Sequence, residues 1–483
     1  MRRRPNVLFL LSDQHNSHIA GFAGNRIVDT RHLDKLAAES VRFEHAYCQF
    51  PLCTPSRISM WTGLLPAATG AMCNYAPIPA EFLTIPEHFE RFGYITCGVG
   101  KMHVGGDRPT NGFQYRPYGD LIPNRFCGHQ PDPISSAKDQ AWTVHHIGHF
   151  PFAGPSEIPE DRLQESVVTR EALAFIRDRA ESPWFVCASY GRPHHPLTAP
   201  KRYFDRYWPN GPELQPLPDG FPDSLHPHDR FIVDDFRLTD FSDDQRRRGL
   251  AAYYASVDFL DDCIGALLDG LDRDGLLDNT IVIYTSDHGD LASEHGLWWK
   301  RSYYDGSSAV ALLIRVPGGE RAVVSDVVEL VDIFPTLCDL CGLPIPDGLD
   351  GESLLPVGKQ RKDYARCDHV ARPETTFRMI RTVKWKYVEF PEYPPVLFDM
   401  EKDPGEQRNV ADFVRNASVM SELHVRLWSD GETWESLFAK RMLSREAAMK
   451  SHPPEDHTPN QFALPDGSIV DAETDLYGGY LNA

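Results

Sequence analysis

The sequence predicts an α/β fold: a large, mostly parallel sheet sandwiched by helices, followed by a small C-terminal α+β domain. Three observations predict it. Apolar, β-branched-rich runs at Asn6 to Leu11, Trp184 to Ser189 and Thr280 to Thr285 read as buried parallel strands, because their apolar character is continuous instead of alternating. Amphipathic helical stretches lie between them, from Thr30 to Val41, Asp161 to Ala180 and, most strongly periodic, Asp243 to Leu271 ending near Gly275. Each strand also runs directly into a polar cluster: Ser12-Asp13-Gln14, Arg192-Pro193-His194-His195 and Ser286-Asp287-His288. In a doubly wound sheet such clusters converge at the carboxyl edge of the strands, where ligands bind.

The remaining segments are placed around this frame. The stretches Tyr115 to Pro159 and Pro200 to Leu238 lack clear periodicity and read as long surface insertions that shape a pocket. From near Arg361 the pattern changes to short strands, Met379 to Arg381, Trp385 to Glu389 and Val396 to Asp399, then a helix from Ala417 to Leu437. These readings divide the chain into 1–370, 371–445 and an extended tail, 446–483, taken as an arm lying on a neighbouring subunit of a homo-oligomer.

Composition excludes several functions. At 483 residues, with 41% hydrophobic and 24% charged residues, the chain is of ordinary enzyme composition, and no apolar run approaches the roughly 20 residues that span a bilayer. The start Met1-Arg2-Arg3-Arg4-Pro5 is basic, but the apolar stretch Val7 to Leu11 is too short for a secretory signal, so a cytoplasmic protein with reduced cysteines is expected. A net charge of −20 disfavours nucleic acid and anionic lipid as partners, so an anionic substrate must be attracted locally.

The segment Cys53-Thr54-Pro55-Ser56-Arg57, closed by Gly63, carries the chemistry. Thr54 is expected to cap a helix with Pro55 in its first turn, which puts Cys53 at a positively polarised helix N-terminus suited to anions. A thiol there also has a lowered pKa, which leaves a plain thiolate nucleophile as one reading. The segment matches the signature Cys-x-Pro-x-Arg and resembles the formylglycine-dependent sulfatases of the alkaline phosphatase-like type. The likeness extends in order through Asn6 to Asp13, Gly100 to His103, Pro193 to Pro196, Ser286 to Asp290, Gly296 to Lys300, Val331 to Thr336 and Leu397 to Pro404.

The resemblance implies a chemistry and a set of residues. Cys53 would be oxidised to formylglycine by a formylglycine-generating enzyme and hydrated to a diol. One hydroxyl attacks sulfur, and loss of the second proton lets the adduct collapse and release sulfate. Asp13, Gln14, Cys53, Asp287 and His288 would hold one divalent metal ion, calcium in first place and manganese as the alternative. Many relatives carry a second acid where Gln14 stands and an amide where His288 stands. Arg57 and Lys101 would hold the diol and a sulfate oxygen, His103 would be the base, and His194, with His195 beside it, would act with Lys300 at the leaving oxygen. Asn74 would bind the substrate. Hydrolysis of a sulfate ester is therefore expected, with a phosphonate monoester hydrolase or phosphodiesterase as the alternative.

Other features read as packing. Cys338-x-x-Cys341 has no second pair at zinc-ligand spacing and falls in a predicted helix, so both cysteines are assigned to the core. Trp298, Trp299, Tyr115, Tyr118 and Trp142 suit either a pocket wall or ordinary core positions.

Overall fold

Strand β1 (Asn6–Asp13) is buried along its whole length and pairs in parallel on both sides, so its apolar residues have no solvent face to avoid. The other strands of its sheet are β2 (Val41–Tyr47), β3 (Ile95–Gly100), β4 (Trp184–Pro193), β5 (Thr280–Ser286), β6 (Ala309–Arg315) and β7 (Ala322–Glu329). Their order is β3-β4-β1-β5-β6-β2-β7. Only β6 runs against its neighbours. The three strands legible as apolar runs are thus the central neighbours β4, β1 and β5. This computed structural model describes residues 4–105, 110–117, 149–359, 361–451, 461–463 and 469–471.

Helices cover both faces. Gln164–Asp178 and the 31-residue helix Asp243–Arg273 pack on β4 and on each other, while Cys53–Thr62 packs with Ile85–Arg91 and Ile333–Cys341. The long helix starts where the sequence placed it because Ser242 and Gln245 form a reciprocal capping box. Cys338 and Cys341 are buried core residues. No helix among the described residues is long and apolar enough to cross a membrane.

The structure differs from the sequence expectations in three places. The stretch from Pro200 to Leu238 contains the helices Lys201–Tyr207 and Pro227–Asp235, each only about two turns long and therefore too short for periodicity to register. The helix expected from Ala417 to Leu437 is two, Ala417–Leu427 and Trp434–Ser451, separated by a turn in which Gly431 takes φ +75°. The second carries helical structure past residue 446, where the extended tail was placed. Beyond it, Gln461–Ala463 pairs with Ile469–Asp471, and the rest of the tail, like Tyr118 and Trp142, lies outside the described residues.

The C-terminal unit is a four-stranded antiparallel sheet, β8 (Tyr364–His369), β9 (Phe377–Thr382), β10 (Trp385–Glu389) and β11 (Val396–Asp399). Its first strand precedes residue 371, and its residues Ala365, Phe377, Val388 and Phe398 belong to the same apolar core as β1. A buried ion cluster also joins the two sheets. Lys386 Nζ on β10 donates to Asp305 Oδ1 (2.6 Å), to the Tyr303 carbonyl (2.9 Å) and to Glu406, while Tyr47 OH on β2 donates to the same Asp305 oxygen (2.8 Å). Lys386 is the cation that hydrogen-bonds both buried carboxylates, so Lys386→Met is expected to lower the unfolding free energy by about 3–5 kcal/mol. Denaturant unfolding checks this, and a loss below about 1 kcal/mol contradicts it.

Candidate active site

Sheet register assembles the first half of the site. Ser12 pairs with Ser286 and Asp13 with Pro193, so Asp13, Asp287 and His194 leave three adjacent strands side by side. Gly100 pairs with Ser189, which brings Lys101 next to them. Glycine is required at two of these exits. Gly100 has φ +88°, and a Cβ there would lie 2.0 Å from the Ser189 carbonyl oxygen; at Gly289 it would lie 2.1 Å from that of Gly306.

The second half is the Cys53–Thr62 helix, ended by Gly63 at φ +69°. Its start differs from the expectation. The helix begins at Cys53 after extended Leu52, and Thr54 is not its cap. Thr54 N–H is met by Asn74 Oδ1 at 3.2 Å, and Thr54 Oγ1 accepts Tyr75 N–H and donates to the His103 carbonyl. An orphan donor of the first turn is thus satisfied from a distant segment. The same contacts tie Asn74 and His103 to the Cys53 helix, and Asn74 Nδ2 stays buried without a hydrogen-bond partner.

Arg57, one turn after Cys53, is fully buried. Its Nε donates to Asp287 Oδ2 (2.7 Å), its Nη2 to Asp13 Oδ2 (2.9 Å) and its Nη1 to Ser189 Oγ (3.1 Å) and the Lys101 carbonyl. The guanidinium is therefore engaged in holding the two carboxylates. Lys101 Nζ reaches the same Asp13 oxygen at 2.8 Å.

Around Cys53 Sγ stand Lys300 Nζ at 3.1 Å, His288 Nε2 at 3.3 Å and Asp13 Oδ1 at 4.0 Å, and His103 hydrogen-bonds the sulfur. Burial opposes ionisation of the thiol, but Lys300, Lys101 and His288 outweigh it and hold Cys53 well below the usual thiol range. Burial and the Cys53 anion likewise push Asp13 up, and the cations Lys101 and Arg57 more than reverse this. Burial, reinforced by Lys101 and Lys300, lowers His194 to about 3, so it is neutral. Its Nδ1–H donates to the His195 carbonyl (2.8 Å), the ring also hydrogen-bonds Cys53, and Nε2 lies 3.8 Å from Asp13 Oδ1.

All eleven residues singled out from the sequence converge here. Sequence reasoning gave no role to Asp290, which accepts Gln14 Nε2 at 2.6 Å, or to Ser189 beneath Arg57. For Asp290 the signal was present, a third polar residue closing Ser286-Asp287-His288-Gly289-Asp290.

The donors fit a divalent cation. Ligand atoms of Asp13, Cys53, Asp287 and His288 all lie within 4.8 Å of one another. His288 Nδ1–H donates to the Gly289 carbonyl (2.9 Å), the orientation that leaves Nε2 for a metal. Gln14 Oε1 is buried with no hydrogen-bond partner, a spare oxygen donor. A second cluster, His32, Asp261 and Asp262, has a different explanation: Asp261 accepts the backbone N–H groups of His32 (2.9 Å) and Leu33 (2.8 Å) at a helix start.

The family model for sulfatases matches residues 5–343 of this chain. The chain belongs to the sulfatase family. A second model, N-sulphoglucosamine sulphohydrolase, C-terminal, matches residues 293–432 of this sulfatase. The choline-sulfatase of Rhizobium meliloti is 31% identical over 487 positions, covering 95% of this chain and 94% of that protein. An arylsulfatase of Clostridium perfringens is 32% identical, covering 84% and 90%. The crystal structure of the phosphonate monoester hydrolase of Agrobacterium radiobacter superposes with a TM-score of 0.76 at 25% identity, covering 91% and 96%. The protein is a sulfuric ester hydrolase, and its fold is the alkaline phosphatase-like one expected.

Arg57 and a bound cation would neutralise the same carboxylates. Arg57→Met is therefore expected to destabilise the metal-free sulfatase by about 3–5 kcal/mol. Added manganese should then raise the melting temperature of this variant more than that of the wild type. Equal shifts in both proteins would contradict the shared role.

Proposed function

We propose that this sulfatase cleaves its ester through formylglycine made from Cys53, with one divalent ion, calcium or manganese, held by Asp13, Gln14, residue 53, Asp287 and His288. The carrying observation is the place of Cys53: the first residue of a helix, within the Cys-x-Pro-x-Arg segment, its sulfur 3.1 Å from Lys300 Nζ and 3.3 Å from His288 Nε2. A divalent ion there would draw charge from the sulfate oxygens and acidify the attacking hydroxyl at residue 53.

The chain's own residues supply the rest. Lys101 and Asn74 Nδ2 offer donors to the sulfate, at a helix N-terminus that already favours an anion. Arg57 fixes Asp13 and Asp287. Lys300 gives its proton to the departing alcohol oxygen, and neutral His194 orients that oxygen through its Nε2 side. His103, joined to Cys53 and carried by the segment that Thr54 anchors, takes the proton whose loss frees the sulfate. Because Cys53 is fully buried, a formylglycine-generating enzyme would have to act on this segment before the fold closes over it.

A second reading, hydrolysis of phosphonate monoesters, is favoured by the likeness to the Agrobacterium enzyme, since the same nucleophile and ion suit attack on phosphorus. Mass spectrometry of the Cys53 peptide from active enzyme, with initial rates on an aryl sulfate and an aryl phosphonate, separates the readings. Formylglycine with faster sulfate turnover, and loss of at least about 1,000-fold in Cys53→Ala, is the expected result. Formylglycine with faster phosphonate turnover moves the chain to the second reading, and unmodified cysteine in fully active protein overturns the nucleophile.

A further inference from the structure

A glutamine side chain presents two ends of nearly the same shape, and only its oxygen is a metal ligand. We infer that Asp290 selects that end at Gln14, holding the carboxamide nitrogen so that Oε1 is the atom left for the cation; this rests on the metal reading above.

Asp290 is a buried acceptor whose oxygens are all assigned. Its Oδ1 accepts the backbone N–H groups of Ala292 (2.8 Å) and Trp299 (3.0 Å), and its Oδ2 accepts Gln14 Nε2 at 2.6 Å. With Oδ1 taken by two backbone donors, Asp290 presents Oδ2 to the carboxamide as an acceptor, so the flipped carboxamide would set oxygen against oxygen at hydrogen-bond distance. The backbone of Gln14 is held as firmly. It sits at φ +64°, its N–H donates to Asp287 Oδ1 (3.1 Å), and its carbonyl accepts Tyr253 OH (2.6 Å). Asn16 Nδ2 closes the unit by donating to the Asp290 carbonyl at 2.7 Å.

The consequence is a neutral oxygen ligand beside the Asp13 and Asp287 carboxylates. Gln14 and Asp290 form a matched donor and acceptor, and making Gln14→Glu together with Asp290→Asn keeps the match with donor and acceptor exchanged. Charge alone predicts that Gln14→Glu strengthens cation binding. The pairing predicts the reverse, because a carboxylate at position 14 meets the Asp290 carboxylate where a hydrogen bond stood.

Calorimetric titration of manganese into metal-stripped protein at mildly alkaline pH tests this, with melting curves of the metal-free proteins as the check on folding. Asp290→Asn and Gln14→Glu should each weaken binding by about 10–100-fold, the usual effect of losing a metal ligand's outer partner. The variant that combines both substitutions should recover to within a few-fold of wild type. Unchanged affinity in Asp290→Asn, tighter binding in Gln14→Glu, or losses that simply add in the double variant would overturn the inference. If Asp290→Asn does not fold, the direction of the Gln14→Glu effect still decides it. Absence of binding by the wild type would remove the metal reading and this inference with it.

Discussion

Two carboxylates, Asp13 and Asp287, stand side by side without solvent at the end of adjacent parallel strands, and the rest of the site depends on how that charge is balanced. Coulomb repulsion at this depth would push one of them to protonate, and burial together with Asp13 does raise Asp287. Arg57 answers with one donor to each acid, and Lys101 adds a second cation to Asp13. Buried ion pairs of this kind are weak stabilisers in themselves, since desolvation consumes most of the attraction. Their value here is positional: they keep oxygen donors convergent where a cation can bind.

That constraint explains the architecture around it. The β4-β1-β5 register fixes Asp13, Asp287 and His194, while the close approaches at Gly100 and Gly289 bring Lys101 and His288 near enough to matter. The Cys53 helix then delivers two functions from one turn. Its first residue faces the acids with the helix dipole behind it, and its fifth, Arg57, lies on the same face and locks the acids in place. The continuous core and the Lys386 cluster couple the C-terminal sheet to the loop that carries Lys300, since Tyr303 and Asp305 follow it directly.

Much of this is legible in the sequence. Continuous apolar runs marked the central strands, and the polar clusters after them marked the carboxyl edge, because a buried parallel strand leaves few other places for Asp13, His194 or Asp287. The remainder depends on distant partners. Thr54 looked like a cap because Ser and Thr usually are, but Asn74 supplies the acceptor from another segment. The resemblance implies Arg57 as a ligand for diol and sulfate, whereas its donors are engaged by Asp13, Asp287 and Ser189. Asp290 was visible in its motif without a role, since its meaning lies in the Gln14 carboxamide 276 positions away.

The central claim is that these donors hold one divalent cation against residue 53. Anomalous diffraction from crystals of active enzyme grown with manganese tests it most directly. The account predicts one strong peak ligated by Asp13, Gln14 Oε1, Asp287, His288 Nε2 and an oxygen of residue 53. Full activity with no ion among these residues would contradict it.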